Sequence, residues 1–265
     1  MGKSKAVGVY ATTLKDGTPS FRASITFRGK HIALGSYETA KKASSVYKDA
    51  SKILSDKSLT ISSYKSKMSI PFEKYVSLIN FRDKGMYISN PIYLENRYFL
   101  YYLSPDHVLK FDIEDLFYYS SHKIMQRGSH LFVADYGSQL SVLQRYGIKS
   151  YAVCGRDYQF VNDDPTDLRY ENIIILNRYR GVRQYADKGF IRYKAVIHVR
   201  SNYVVGKYAS EAEAAIAYNK AADILIKNGI KKNFQLNYVE ELSPSQYADV
   251  YMKLKVSPII LELRP

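Results

Sequence analysis

Residues 179–234 change hydrophobic period once, from two to about 3.6, and that change dictates a small sheet followed by a helix. In the run from Phe190 to Arg200, Ile191, Tyr193, Ala195, Ile197 and Val199 alternate with Arg192, Lys194, Val196, His198 and Arg200. Successive strand residues point to opposite faces, so the run carries one apolar face and one mostly basic face. Turn-forming Ala186-Asp187-Lys188-Gly189 precedes it, Ser201-Asn202 follows it, and residues 179–183 and 203–208 supply its neighbours. The spacing predicts a three-stranded antiparallel meander. A helix comes next: Ser210 and Glu213 stand at N-cap and N3 spacing, Ala214, Ala217, Tyr218, Ala221, Ile224 and Leu225 recur at helical spacing, and Asn228-Gly229 supplies the stop. Alanines let that helix lie close on the apolar face, which leaves the basic face uncovered and suited to an anion.

The opening of the chain repeats this plan. Gly35-Ser36-Tyr37 corresponds to Gly206-Lys207-Tyr208, and at the same offset of 171 Ala43, Tyr47, Ala50, Ile53 and Leu54 fall on Ala214, Tyr218, Ala221, Ile224 and Leu225. Thr39 falls on Ser210, and Gly8-Val9 echoes Gly181-Val182. Phe21, Ala23, Ile25 and Phe27 alternate with Arg22, Ser24, Thr26 and Arg28, again a two-faced strand. Both periods are preserved, which marks an internal repeat. In this copy Val7 and Tyr10 replace Arg180 and Arg183, so Arg22, Arg28, Lys30 and His31 are left for anion contact.

The wording Tyr179-Arg180-Gly181-Val182-Arg183, then Ala195-x-Ile197, Gly206-x-Tyr208, Ala214-Ala215-x-Ala217-Tyr218-Asn219-x-Ala221-Ala222 and Asn233-Phe234 resembles the apetala-type DNA-binding domain of plant ethylene-response factors. That domain also occurs in mobile homing endonucleases. The resemblance implies a sheet lying in the major groove of double-stranded DNA with the helix behind it. It also implies DNA contact by Arg180 and Arg183, with Arg192, Lys194, His198, Arg200 and Lys207 on the same basic surface, and by Arg22, Arg28 and Lys30 in the weaker copy. Val196, His198 and Val204 stand where the family usually has Glu, Arg and Trp, so the plant target sequence does not carry over.

Charge supports a polyanionic partner: 39 Lys and Arg against 25 Asp and Glu give a formal net charge of +14. The positive excess sits at the two ends, while Asp112, Glu114, Asp115, Asp163, Asp164 and Asp167 offset the bases between them. No apolar run is long enough to span a bilayer, and Met1-Gly2-Lys3-Ser4-Lys5 lacks a signal-peptide core. Cys154 stands alone, which excludes an internal disulfide and suits a reducing compartment. These points place the protein in the cytoplasm or nucleoid, or in a nucleus if the host is eukaryotic.

The middle of the chain reads as short strands, at 86–94, 97–103, 112–119 and 130–133, followed by a short helix at 139–146. Its last run, from Gln159 to Ile173, is similar to the HNH homing-endonuclease signature, with Asn162, Asp167, Arg169, Asn172 and Ile173 on scaffold positions. The resemblance puts the catalytic Asp-His pair on Gln159-Phe160 and the upstream His on Gln144. Phenylalanine cannot accept a proton, and a neutral amide is a poor ligand for a hard cation. The resemblance therefore implies a nuclease with an inactivated centre, no cofactor and no bound metal. Asp106-His107, His122 and His130 precede the motif and have no correctly spaced partner; Asp163-Asp164-Pro165 is an ordinary turn composition.

The expected fold class is α+β: two small three-stranded sheet-plus-helix modules flanking a degenerate ββα, HNH-like middle domain. The expected divisions are 1–57, a linker at 58–69, 70–177, 178–237 and a tail at 238–265. In the tail, Ser243, Pro244 and Gln246 start a helix whose stripe of Tyr247, Val250, Tyr251 and Leu254 either docks on its own protein or serves a homodimer. The expected function is sequence-specific binding of double-stranded DNA by a transcription regulator derived from a homing endonuclease. An active HNH-type homing or nicking endonuclease with a divergent metal site is the alternative, and a plasmid assay with magnesium or manganese separates the two.

Overall fold

The computed structural model describes residues 7–265; Met1 to Ala6, which include Lys3, Lys5 and the start read as lacking a signal-peptide core, lie outside the described residues. The chain divides into two compact units, one of the described residues up to 142 together with 164–170 and one of residues 143–163 and 171–265. The architecture is α+β, with several small three-stranded antiparallel sheets and few helices.

The first unit opens with strands β1 (Val9–Thr13), β2 (Pro19–Phe27) and β3 (Lys30–Tyr37), which form one sheet, and helix α1 (Ala40–Ser55). Thr39 caps α1 by accepting from the Lys42 amide, as the sequence spacing requires. The chain then makes a 3-10 turn at Ile61–Ser63 and enters helix α2 (Phe72–Lys84). Two further meanders follow, β4 (Ile92–Leu94), β5 (Tyr98–Ser104) and β6 (His107–Asp112), then β7 (Ile124–Arg127), β8 (His130–Asp135) and β9 (Ser138–Ser141). Between them lie a 3-10 turn at Ile113–Asp115 and the short helix α3 (Leu116–Ser121).

Helix α2 falls where the sequence suggests only strands. Every residue from Tyr75 to Arg82 is buried, so no polar face repeats at helical spacing to announce it. Its polar members are satisfied internally. Arg82 donates to the carbonyls of Ile53, Asp56 and Leu59 at 3.0, 2.7 and 2.7 Å, which ties α2 to the end of α1. Ile70, Tyr75, Leu78, Ile79 and Phe81 share one core with Ala43, Val46, Ala50 and Ile53 of α1, so packing continues across the segment 58–69.

The second unit holds the hairpin of β10 (Tyr158–Phe160) and β11 (Ile173–Ile175), then the sheet of β12 (Val182–Asp187), β13 (Phe190–His198) and β14 (Asn202–Tyr208). Helix α4 (Glu211–Lys227) follows, with the capping box of Ser210 and Glu213 formed. The hairpin supplies two strands of a ββα unit, but the chain runs from Ile175 into β12 without an intervening helix. Residues 139–146, expected as a helix, form the end of β9 and a 3-10 turn at Val142–Tyr146, and residues 112–119, expected as a strand, form the end of β6, a 3-10 turn and part of α3.

The repeat extends to individual hydrogen bonds. Val9 pairs with Ala23 and Ala23 with Gly35; Val182 pairs with Ala195 and Ala195 with Gly206. Each middle strand shifts register directly after that alanine, at Ala23/Ser24 and Ala195/Val196. The Ser24 amide donates to the Gly8 carbonyl at 2.9 Å, and the Val196 amide to the Gly181 carbonyl at 2.7 Å. Gly8 and Gly181 have φ of +70° and +72°, and a Cβ on either would run into the ring of Tyr47 or Tyr218. Glycine is required there for both conformation and space.

Helices α5 (Pro244–Lys253) and α6 (Pro258–Glu262) cover α4. Tyr247, Val250, Tyr251 and Leu254 pack on the core built by Ala214, Ala217, Ala221 and Leu225. Tyr251 donates to Asp223 at 2.7 Å, and Lys220 donates to the Tyr251 and Leu254 carbonyls at 2.7 and 2.8 Å. The tail stripe thus docks on its own chain.

Candidate nucleic-acid interface

In the second unit, Val182, Ala195, Ile197 and Val205 face α4 and are buried. Alternation then sends their neighbours to the opposite, helix-free face. There the register sets Arg183 opposite Lys194, and Lys194 opposite Lys207. One row across three strands therefore carries three cations. In the adjacent row Tyr185 stands opposite Arg192, and Lys207 Nζ lies 5.4 Å from the Tyr185 ring centre. The side chains of Arg183, Arg192, Lys194 and Arg200 make no hydrogen bond, ion pair or ring contact among the described residues. Like charges placed directly opposite on a sheet disfavour folding, and among the described residues no carboxylate pairs with them.

Arg180 is placed differently. Its guanidinium carbon sits 4.3 Å from the Tyr151 ring centre, and Nη2 donates to Gln235 Oε1 at 2.6 Å. Its Nε is buried without a hydrogen-bond acceptor among the described residues. The backbone of Arg180 is held on both sides by Asn237, which accepts from its amide at 2.8 Å and donates to its carbonyl at 3.1 Å. His198 is exposed, with Nδ1 3.2 Å from Asn202 Oδ1.

Arg180, Arg183 and His198 line a cleft of about 180 Å³ together with Tyr151, Arg156 and Asp157. The last three come from the segment ahead of the module, and alternation within the strands gives no signal for them. Tyr185 is not among the expected contacts, although alternation reaches it two residues beyond Arg183 on the same strand. Burial pushes the Tyr151 hydroxyl up, and the nearby Arg180 opposes part of that rise.

The entrance to the module is fastened by charge. Arg178 donates through its amide and Nε to Glu211 at 2.6 and 2.8 Å and reaches Glu241 at 3.4 Å. Tyr179 donates to Glu241 at 2.5 Å, and burial together with that carboxylate raises the Tyr179 hydroxyl well above its usual range. Burial likewise pushes Tyr208, whose hydroxyl donates to the Lys255 carbonyl at 2.9 Å, up to about 12.

In the first unit the corresponding row is Tyr10, Arg22 and Ser36, with one cation in place of three. Arg28 and Lys30 stand at the β2–β3 turn. Arg28 has φ of +46°, its guanidinium lies 5.0 Å from the Phe27 ring centre, and Nη1 donates to the Phe81 carbonyl at 3.4 Å. Lys30 Nζ lies 6.0 Å from the Tyr87 ring centre. Of the three cations expected on this copy, Arg22 alone occupies the outer row.

Of the residues expected at the catalytic positions, Gln159 is exposed on β10, Phe160 packs edge-on with Tyr158 at 5.8 Å, and Gln144 lies in the 3-10 turn. Arg169 grips Asp167 through Nε at 2.8 Å and Nη2 at 2.7 Å, and Asn172 accepts from the Asn162 amide at 2.9 Å. His122 stacks on Tyr118 at 4.1 Å and His130 on Phe132 at 5.9 Å. Among the described residues no three His, Cys, Asp or Glu side chains are grouped to hold a metal ion. Nor is any described helix long and apolar enough to cross a membrane. In comparison with known proteins, the chain matches no family model, no curated protein and no solved structure.

Proposed function

We propose that the chain is a sequence-specific double-stranded DNA-binding protein, a transcription regulator descended from a homing endonuclease whose cutting centre has been lost. The observation that carries this reading is the row of Arg183, Lys194 and Lys207, three cations in register with Lys194 opposite each of the other two on the open face of a sheet. Such a row costs folding free energy, and a phosphate backbone is the partner that would offset it. Flanking Arg192 and Arg200, also without partners inside the described chain, widen the positive surface.

Arginines on a sheet entering the major groove can make paired hydrogen bonds to guanine, and the lysines neutralise phosphates. Arg183 is the proposed base reader, since its guanidinium is uncommitted; Arg180, already bonded to Gln235, contributes charge from the rim of the cleft. The first module, with Arg22 alone in its row, acts as a weaker second contact on the same chain. Tethering makes its docking effectively intramolecular once the second module is bound. No cleavage is assigned, because Gln144, Gln159 and Phe160 cannot supply the carboxylate and the proton acceptor that the reaction needs.

In-vitro selection from a random duplex pool tests the reading. It should enrich one sequence, with the spacing of half-sites reporting whether both modules or two copies of the chain engage. Negligible retention of duplex at moderate salt, or retention with no enrichment, would remove the claim of specific binding.

A further inference from the structure

The cleft beside the basic sheet is built by two separate stretches of chain. One wall is the sheet, with Arg183 and His198; the other is the upstream segment, with Tyr151 and Arg156. We infer that this cleft seats one phosphate of the bound duplex, gripped by Arg156 from the segment that resembles a nuclease and by the sheet from the opposite side. The inference rests on the DNA-binding reading and adds a contact outside the sheet module.

Charge and burial favour an anion there. Three arginines, Arg156, Arg180 and Arg183, line the cleft against one acidic residue, Asp157. Asp157 is already neutralised: it is buried, its Oδ2 accepts from the Val153 amide at 2.9 Å, and Arg156 binds it through Nε at 3.1 and 3.0 Å and through Nη2. Nη1 of Arg156 makes no hydrogen bond among the described residues, and the side chain is 43% exposed, so one edge of the fork remains open. The Arg180 guanidinium carbon lies 4.3 Å from the Tyr151 ring centre, and its buried Nε has no acceptor among the described residues. A positive charge in such a partly desolvated place keeps more of its field than one in open water. The volume of about 180 Å³ admits a phosphate group and excludes a stacked base pair.

The segment's position is fixed independently of any ligand. The Asp157 carbonyl accepts from the Leu176 and Asn177 amides at 2.8 and 3.0 Å, and Asn177 in turn accepts from the Gln184 amide of β12 at 2.7 Å. Arg156 is thereby locked to the strand that carries Arg183. A phosphate between them would be held from both walls, which sets the register of the sheet along the duplex without reading its sequence.

The test uses the full chain and the selected duplex with single methylphosphonate linkages, each replacing one charged phosphate by a neutral group. Wild-type protein should lose roughly fivefold or more in affinity at one linkage, and Arg156→Gln should lose nothing further at that linkage. Because Arg156→Gln leaves the buried Asp157 carboxylate without its ion-pair partner and can destabilise the segment, Asn202→Asp provides a second variant. Asn202 is exposed on the rim, and a carboxylate there should weaken binding of the natural duplex and be relieved by the same neutral linkage. Equal sensitivity of wild type and both variants at every linkage overturns the inference while leaving DNA binding intact. Tight binding of inorganic phosphate with no such linkage would make the cleft a small-anion site and also overturn it. Absence of duplex binding by the wild type sinks the inference and the proposed function together.

Discussion

Lys194→Gln should stabilise the protein and weaken its grip on DNA. Lys194 faces Arg183 on one side and Lys207 on the other, and neither neighbour has a carboxylate partner among the described residues. A directly opposed like-charge pair on a sheet costs about 0.2–1 kcal/mol, so removing both pairs releases about 0.4–2 kcal/mol at low salt. Glutamine keeps much of the side-chain length and its packing along the strand. Urea unfolding at low ionic strength should show the gain as a raised midpoint with unchanged slope. Repeating it at about 1 M salt, where screening acts over about 3 Å, should erase the difference. DNA affinity should fall, with the salt dependence of log K losing about 0.9 if Lys194 neutralises one phosphate. A variant that is less stable at low salt, or equally stabilised at both salt concentrations, would refute the repulsion argument. Unchanged DNA affinity would refute the placement of the row against the backbone.

Arg183→Ala should weaken binding to the selected sequence by about 1–3 kcal/mol and relax preference at one base position; uniform weakening across all sequences would mark it as a phosphate contact. Gly181→Ala should cost about 2–4 kcal/mol by urea unfolding, because its φ is +72° and the new Cβ would meet the Val196 carbonyl and the Tyr218 ring; a cost below 1 kcal/mol would mean the turn re-forms. Asp167 gives a pH dependence: burial alone would raise its carboxyl, but the hydrogen bonds and charge of Arg169, with Lys110 beyond, hold it below the usual carboxylate range. Its stabilisation is therefore complete above the unfolded value near about 4 and is lost as pH falls through the depressed folded value. Asp167→Asn should lower stability at neutral pH and flatten that acid limb, and an acid limb identical to wild type would show that other carboxylates set it.

The parts of the fold legible in the sequence are those with one wet face. Strand β13 is visible because Ala195 and Ile197 face alanines of α4 while Arg192 is exposed. The alternation is not complete: Ile191, expected on the apolar face, is exposed, and Val196, expected on the basic face, is buried where the register shifts after Ala195. Helix α4 announces itself through Ser210 and Glu213, whose capping box is satisfied by local spacing alone. Helix α2 is hidden for the opposite reason: Ser77, Asn80 and Arg82 are buried among apolar neighbours and spend their hydrogen bonds on distant carbonyls such as those of Ser89, Met86 and Leu59. No local pattern encodes those partners. The same limit applies to the candidate site. Arg183 and Lys194 are found by alternation along their strands, whereas Tyr151 and Arg156 reach the cleft through tertiary contact across Asn177. Arg28 shows a further limit, since its φ of +46° at the turn takes it out of the strand register that placed it among the outward cations.

The central claim is that the open basic sheet of the second unit grips duplex DNA through its phosphates. Equilibrium binding of a random-sequence duplex, followed as log K against log salt, tests it most directly. The account predicts a steep negative slope that becomes shallower when Lys194 and Lys207 are both changed to glutamine. A slope near zero, or one untouched by the double change, would contradict it.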